Sequence, residues 1–121
     1  MEMLDLVQFT GTEEYYRHFM GIVYTDGVHY LMENGAAWVI DAIASYQGSP
    51  KLRKGMLAEF QLWELRVDLE EKTGLLTCKA DSDCPPVIMQ RFEFTDFPLA
   101  ELKLYVEASG SSRVCMLPSE R

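Results

Sequence analysis

Basic residues and histidines are scarce in this chain. Lys and Arg number 11 against 19 Asp and Glu, with two His, leaving a formal charge of −8 over 121 residues. A protein binds a polyanion mainly by releasing counterions to clustered Lys and Arg, so direct nucleic-acid binding is disfavoured. The one basic cluster, Lys51, Arg53 and Lys54, reads as a solubilised loop rather than a phosphate site. Cysteine is scarce too. Cys78, Cys84 and Cys115 are an odd number, and the N-terminal MEMLDLVQF has none of the basic start and apolar run of a secretory signal. Reduced thiols and a cytoplasmic location are therefore expected.

Long apolar runs are missing. The longest nearly uncharged stretch, 35–50, contains Asp41 and falls short of the roughly 20 apolar residues of a membrane span. Metal signatures are missing as well. Cys78, Asp81, Asp83 and Cys84 lack the paired C-x2-C or H-E-x-x-H of zinc sites, and Asp81-Ser82-Asp83 lacks the glycine and distal glutamate of a calcium loop. With no G-x-S-x-G elbow, phosphate loop or dinucleotide fingerprint, no cofactor is expected and the chain leans away from an enzyme.

What is present suits one domain spanning residues 1–121: 48% hydrophobic residues, 12% aromatics, and only eight Gly and five Pro. Leu4, Leu6, Val7 and Phe9 suit an N-terminal turn or edge strand. Thr12 before Glu13 and Glu14, with Gly21 as a stop, predicts a short helix over 12–20. Two β-favouring runs around Asp26-Gly27 predict a tight hairpin over 22–31, with Tyr24 facing His29. Residues 36–47 predict a helix buried almost all round, with Trp38, Asp41 and Ser45 as its partly polar stripe. From Glu59 the period becomes two. Trp63, Leu65, Val67 and Leu69 alternate with Glu64, Arg66, Asp68 and Glu70, a strand with one wet face. Strands over 76–80 and 88–94, the latter with Phe92 and Phe94 inward, complete an antiparallel meander. A turn at 96–98, a strand through Leu102, Leu104 and Val106, and a hairpin at 109–112 onto 114–117 follow. The fold class is α+β: an antiparallel sheet of five to seven strands packed against a central apolar helix and a short N-terminal helix.

Two constellations carry functional readings. Tyr15, Tyr16, Phe19, Tyr24, Tyr30, Trp38 and Tyr46 crowd the N-terminal half. Tyr and Trp at an interface supply rigid contact area with a polar tip, which makes Tyr15, Tyr16, Tyr24, His29, Tyr30 and Trp38 the candidate binding residues, inside an acidic rim that selects a basic partner. The rival constellation is His18, His29 and Asp41, which could converge as general acid and base in a pocket between the 22–31 hairpin and the 36–47 helix.

The strings FTGTEEYYRH, YTDGVHYLMENGAAWVIDAIASYQ, FQLWELRV, FTDFPLAELKLYVE and MLPSER span nearly the whole chain. In them it resembles a domain-of-unknown-function family of small bacterial proteins found on cyanobacterial genomes, plasmids and phages. That resemblance implies an accessory role and brings no activity, cofactor or catalytic residue. Taken together, the residues and the resemblance favour a non-enzymatic interaction protein. Its narrower form is a mobile-element inhibitor of a host defence or nucleic-acid-handling complex, with a basic or nucleic-acid-binding protein as its partner. The alternatives are a small enzyme or ligand-binding domain, and a homo-oligomer that buries its aromatic face against itself.

Overall fold

A computed structural model describes residues 3–121, and side chains from Asp5 onward. In chain order the elements are α1 (Met3–Val7), β1 (Tyr16–Arg17), β2 (Val23–Tyr24), α2 (Asp26–Leu31), a π turn (Met32–Ala36), α3 (Ala37–Tyr46), a 3-10 turn (Pro50–Leu52), α4 (Met56–Glu59), β3 (Phe60–Asp68), β4 (Thr73–Lys79), β5 (Ile88–Phe92), β6 (Glu101–Ser109), β7 (Ser112–Met116) and a last 3-10 turn (Pro118–Glu120). The seven strands form one open sheet in the order β1-β2-β7-β6-β3-β4-β5. Every pairing is antiparallel except that of β2 with β7. The expected α+β class holds, with helices gathered on one face of the sheet.

The core follows from alternation. Because side chains along a strand point to opposite faces, Trp63, Leu65 and Val67 of β3 fall on one side. They lie in register with Cys78, Leu76 and Gly74 of β4, and the first two with Leu104 and Leu102 of β6. These side chains meet Val28, Leu31, Val39, Ile40 and Ile43 of α2 and α3 in a single buried cluster. Each such side chain contributes about 1.5–3 kcal/mol on burial. The helix expected over 36–47 is found as α3; Ser45 is exposed, and Trp38 and Asp41 are half-buried, as are Ala37, Ala42 and Tyr46.

The N-terminal third departs from the sequence reading. Residues 12–20 are not a helix: they carry β1 and its flanking loops, and the short N-terminal helix is α1, where a turn or strand was expected. Thr12 does not cap its own segment. Its hydroxyl accepts the Asp26 N–H at 2.9 Å and donates to the Glu14 carbonyl at 2.6 Å. The 22–31 hairpin is also overturned, since the chain leaves the sheet after Tyr24 and Asp26-Gly27 begins α2. Glu120, at the other end of the chain, caps that helix. Its carboxylate accepts the Gly27 N–H at 2.9 Å and the Thr25 hydroxyl at 2.6 Å, satisfying donors a helix start leaves orphaned. A Cβ on Gly27 would stand 2.5 Å from Leu117 Cδ1 and 2.6 Å from Glu120 Oε1, so glycine serves close approach here rather than a hairpin. The helical run then bends at Asn34–Gly35 before α3.

Smaller differences lie at strand ends. β3 stops at Asp68 and β5 at Phe92, so Leu69 and Phe94 are exposed rather than packed inward. Glu64, on the face expected to be wet, is buried beside Lys79 Nζ at 3.1 Å and Arg66 Nη2 at 3.7 Å. Burial raises its carboxyl pKa, but the Lys79 hydrogen bond and the charges of Lys79, Lys103 and Arg66 outweigh that and hold it below the usual range.

Candidate functional site

The most exposed large apolar side chain among the described residues belongs to the turn between β1 and β2. Phe19 is 81% exposed, with Met20 and Tyr15 also in solvent. The turn that carries Phe19 and Met20 is tightly built. The His18 N–H donates to the Ile22 carbonyl at 2.7 Å and the Gly21 N–H to the His18 carbonyl at 2.9 Å. Gly21, at φ +103°, supplies the backbone conformation that lets the chain reverse. The His18 ring then locks the turn from below. Its Nδ1 accepts the Met20 N–H at 3.0 Å and its Nε2 lies 2.7 Å from Asp41 Oδ1 on α3. A backbone N–H can only donate, so Nδ1 is the acceptor and the proton sits on Nε2, donated to Asp41. Phe19 stacks on this ring at 4.4 Å while keeping its outer face free. Asp41, bonded to His18, places a carboxylate beside the turn, and Arg17 is the cation of β1.

Behind the turn stands an aromatic stack. Tyr16 neighbours Tyr24, at 5.4 Å, and His29, at 4.2 Å with planes 5° apart, and the Tyr24 and His29 rings are themselves 6.2 Å apart. The Tyr16 hydroxyl donates to Asp26 Oδ1 at 3.1 Å, and Asp26 Oδ2 accepts the Glu13 N–H at 2.9 Å. Desolvation and the adjoining Asp26 carboxylate push the Tyr16 phenol up to about 12. The Asp26 carboxyl is held below its ordinary value chiefly by the Glu13 N–H, against partial desolvation and with help from Tyr16 and Thr12. His29 Nε2 pairs with Glu33 at 3.1 Å, and its Nδ1 is buried without a partner.

The six aromatic candidates thus separate. Tyr16, Tyr24 and His29 share one stack and Tyr15 is exposed close by. Tyr30 packs on Phe9 at 5.4 Å and Trp38 meets Phe92 edge-on at 4.8 Å, both against the core. Of the three acid–base candidates the structure joins two, His18 and Asp41. His29 belongs to the stack on α2 instead. The joined pair has a structural task, because both imidazole nitrogens are engaged and the His18 side chain is 2% exposed, which leaves no lone pair to meet a substrate. Three recesses in the surface lie elsewhere: between Leu6 and Leu117, beside Phe60 and Tyr105, and near Arg66 and Arg91. Among the described residues no three of His, Cys, Asp and Glu gather to hold a metal ion, and no helix is long and apolar enough to cross a membrane.

Sequence reasoning passed over Met20 and the Glu120 clamp, and weighed Phe19 without choosing it. The signal for the turn was present: two large apolar residues directly before a glycine, in a segment with no apolar period to bury them.

A family model described as a family of unknown function (DUF6876) matches residues 3–121. No curated protein and no solved structure matches the chain.

Proposed function

The chain belongs to that family, and we propose that it is a protein-interaction module whose docking element is the turn 18–21, with Phe19 and Met20 as apolar anchors and the Asp41 carboxylate, bonded to His18, at their border. One observation carries the reading: a phenylalanine 81% exposed on a turn fixed by four hydrogen bonds, all made by a buried histidine, two through its backbone and two through its ring. Binding hot spots are rigid aromatic anchors that lose little freedom on docking, and His18 has ordered this one before any partner arrives. That carboxylate and the overall charge of −8 suit a partner whose apolar pocket is bordered by Lys and Arg.

In its narrower form the reading is an inhibitor, encoded on a mobile element, of a host defence or nucleic-acid-handling complex. The charge of −8 supports that form, because proteins built to hold phosphate present basic surfaces that a carboxylate-rich domain can occupy.

The test is comparative capture from bacterial lysate with three immobilised proteins: wild type, Phe19→Ser/Met20→Ser, and Met56→Ser as a control at an exposed methionine elsewhere. A stoichiometric protein retained by the first and third, lost from the second, released by salt and displaced by DNA is expected. Identical captured sets from all three would overturn the docking element. A saturable small-molecule ligand found by thermal shift would replace the reading with that of a ligand-binding domain.

A further inference from the structure

The two edges of the sheet are unequal, and the second edge carries an inference beyond the docking turn. We infer that β5 is a self-association edge, on which a second copy of this chain adds its own β5 antiparallel, centred on Gln90, to make one continuous sheet across the two copies. β1, the opposite edge, is two residues long, whereas β5 has five and pairs with β4 alone. In an antiparallel pair only every second residue of a strand spends its N–H and C=O on a given neighbour. β5 therefore turns a row of unspent donors and acceptors away from the sheet, a template for another strand. The same edge holds exposed apolar side chains at Met89, 62% exposed, and just past its end at Phe94, 70% exposed.

The residues of β5 say which strand fits. About a two-fold axis at Gln90, Ile88 faces Phe92 of the second copy on the helix side of the sheet, Gln90 faces Gln90, and Met89 faces Arg91 on the open side. The helix-side positions are already apolar or amide: Phe92 packs on Trp38 and Gln90 accepts the Tyr46 hydroxyl at 2.7 Å. On the open side the thioether of Met89 lies along the aliphatic stem of the opposing Arg91. No like charges stand opposite each other, although each copy carries −8 overall, because the only charge of β5 is that of Arg91, which faces Met89. Continued past the strand, the register sets exposed Phe94 against Pro86 of the second copy.

Light scattering and sedimentation of the full chain over a concentration series test the inference, with amide exchange of residues 87–93 followed alongside. The expected result is a monomer–dimer equilibrium in which those amides gain protection as concentration rises. Met89→Arg places two like-charge pairs across the two-fold and is expected to weaken the dimer severalfold, while Met89→Glu places two opposite-charge pairs there and is expected to tighten it. Met89 is exposed, so neither variant disturbs the core. A monomer at every concentration, or a dimer indifferent to both substitutions, overturns the inference. A dimer removed by Phe19→Ser does so too, since it would lie at the other edge. Partner capture by the turn survives Met89→Arg, so failure of one proposal is distinguishable from failure of the other.

Discussion

From β3 to β7 the sheet is joined by ladders of five to seven paired residues, whereas the end built from β1, β2 and α2 has two-residue pairings and closes on contacts with residues almost a whole chain away. β3 lies between β4 and β6, its side chains sunk in one apolar cluster. At the other end β2 adds only two residues to β7, and the bonds that fix α2 run from Glu120 to Thr25 and Gly27, across 95 and 93 residues. The sheet body is secured by area removed from water, which is roughly additive and tolerant of position. The β1 end is secured by a few directed polar bonds, each of which costs its full worth when one partner goes. An end held that way can stay ordered while presenting Phe19 to solvent, because its order does not depend on burying Phe19.

The widest gap between the two regions is expected from Trp63. Its ring is almost fully buried and its Nε1–H donates to Gln61 Oε1 at 2.8 Å. Trp63→Ala is expected to cost about 3–5 kcal/mol in chemical denaturation, with every probe moving together. Glu120→Ala comes next, since that carboxylate accepts from Thr25, Gly27 and Leu117; a loss of about 1.5–3 kcal/mol is expected. Gly27→Ala acts in the same direction by driving the carboxylate off the helix start. Hydrogen exchange separates the two cases: the Glu120 variant should speed exchange in 23–31 while β3 and β4 stay protected. Equal acceleration in both would make the ends one cooperative unit and break the comparison.

That contrast also marks what sequence reasoning reached. The alternation of Trp63, Leu65 and Val67 and of Leu102, Leu104 and Val106 is a local signal, and it located the core strands and their inward faces. The uninterrupted apolar run of 36–47 located α3. Asp26-Gly27 misled because a type I′ turn and a helix start use the same dipeptide. What decides between them is Glu120, and no window of neighbouring residues contains it. His18 and Asp41 were named together and the pair does form, with the other ring nitrogen of His18 accepting the Met20 N–H. Of the aromatic site, Tyr16, Tyr24 and His29 do gather. Tyr30 and Trp38 do not, because α2 and α3 turn their side chains against the core.

Acid and alkali sharpen the comparison with smaller effects. Asp26 at the β1 end and Glu64 in the sheet both have depressed carboxyl pKa values. The stability each supplies is present above the ordinary carboxylate range near pH 4 and is lost as pH falls through the depressed folded value. Asp26→Asn should flatten the acid limb seen by Tyr fluorescence at the stack, and Glu64→Gln the limb seen by Trp63. At high pH the sign reverses. The Tyr16 phenol, raised to about 12, supplies stability in full below the free phenol value of about 10 and loses it as pH climbs toward 12. Tyr16→Phe should reduce that alkaline decline to the part due to the buried Cys78 and Cys115 thiols, which burial also pushes up to about 12, and an unchanged decline would mean that the Tyr16–Asp26 bond is absent in solution.

Phe19→Ser is expected to have the smallest effect on folding and is the most discriminating. A buried phenylalanine changed to a small residue costs about 3–5 kcal/mol, but Phe19 keeps only its inner face on the His18 ring, and exposed substitutions usually stay within about 0.5 kcal/mol. Thermal unfolding of the variant should overlay that of wild type, with the exchange of Met20 and Gly21 amides unchanged because His18, not Phe19, holds them. His18→Ala is the converse control. It leaves Phe19 in place but frees the Met20 N–H and the Asp41 carboxylate, so exchange in 19–22 should rise sharply. If Phe19→Ser instead unfolds the turn, the ring is part of the scaffold and its exposure is no sign of a partner. If it leaves the turn rigid, a large apolar side chain is being held in water by bonds it does not contribute to, which is the condition a preformed anchor has to meet.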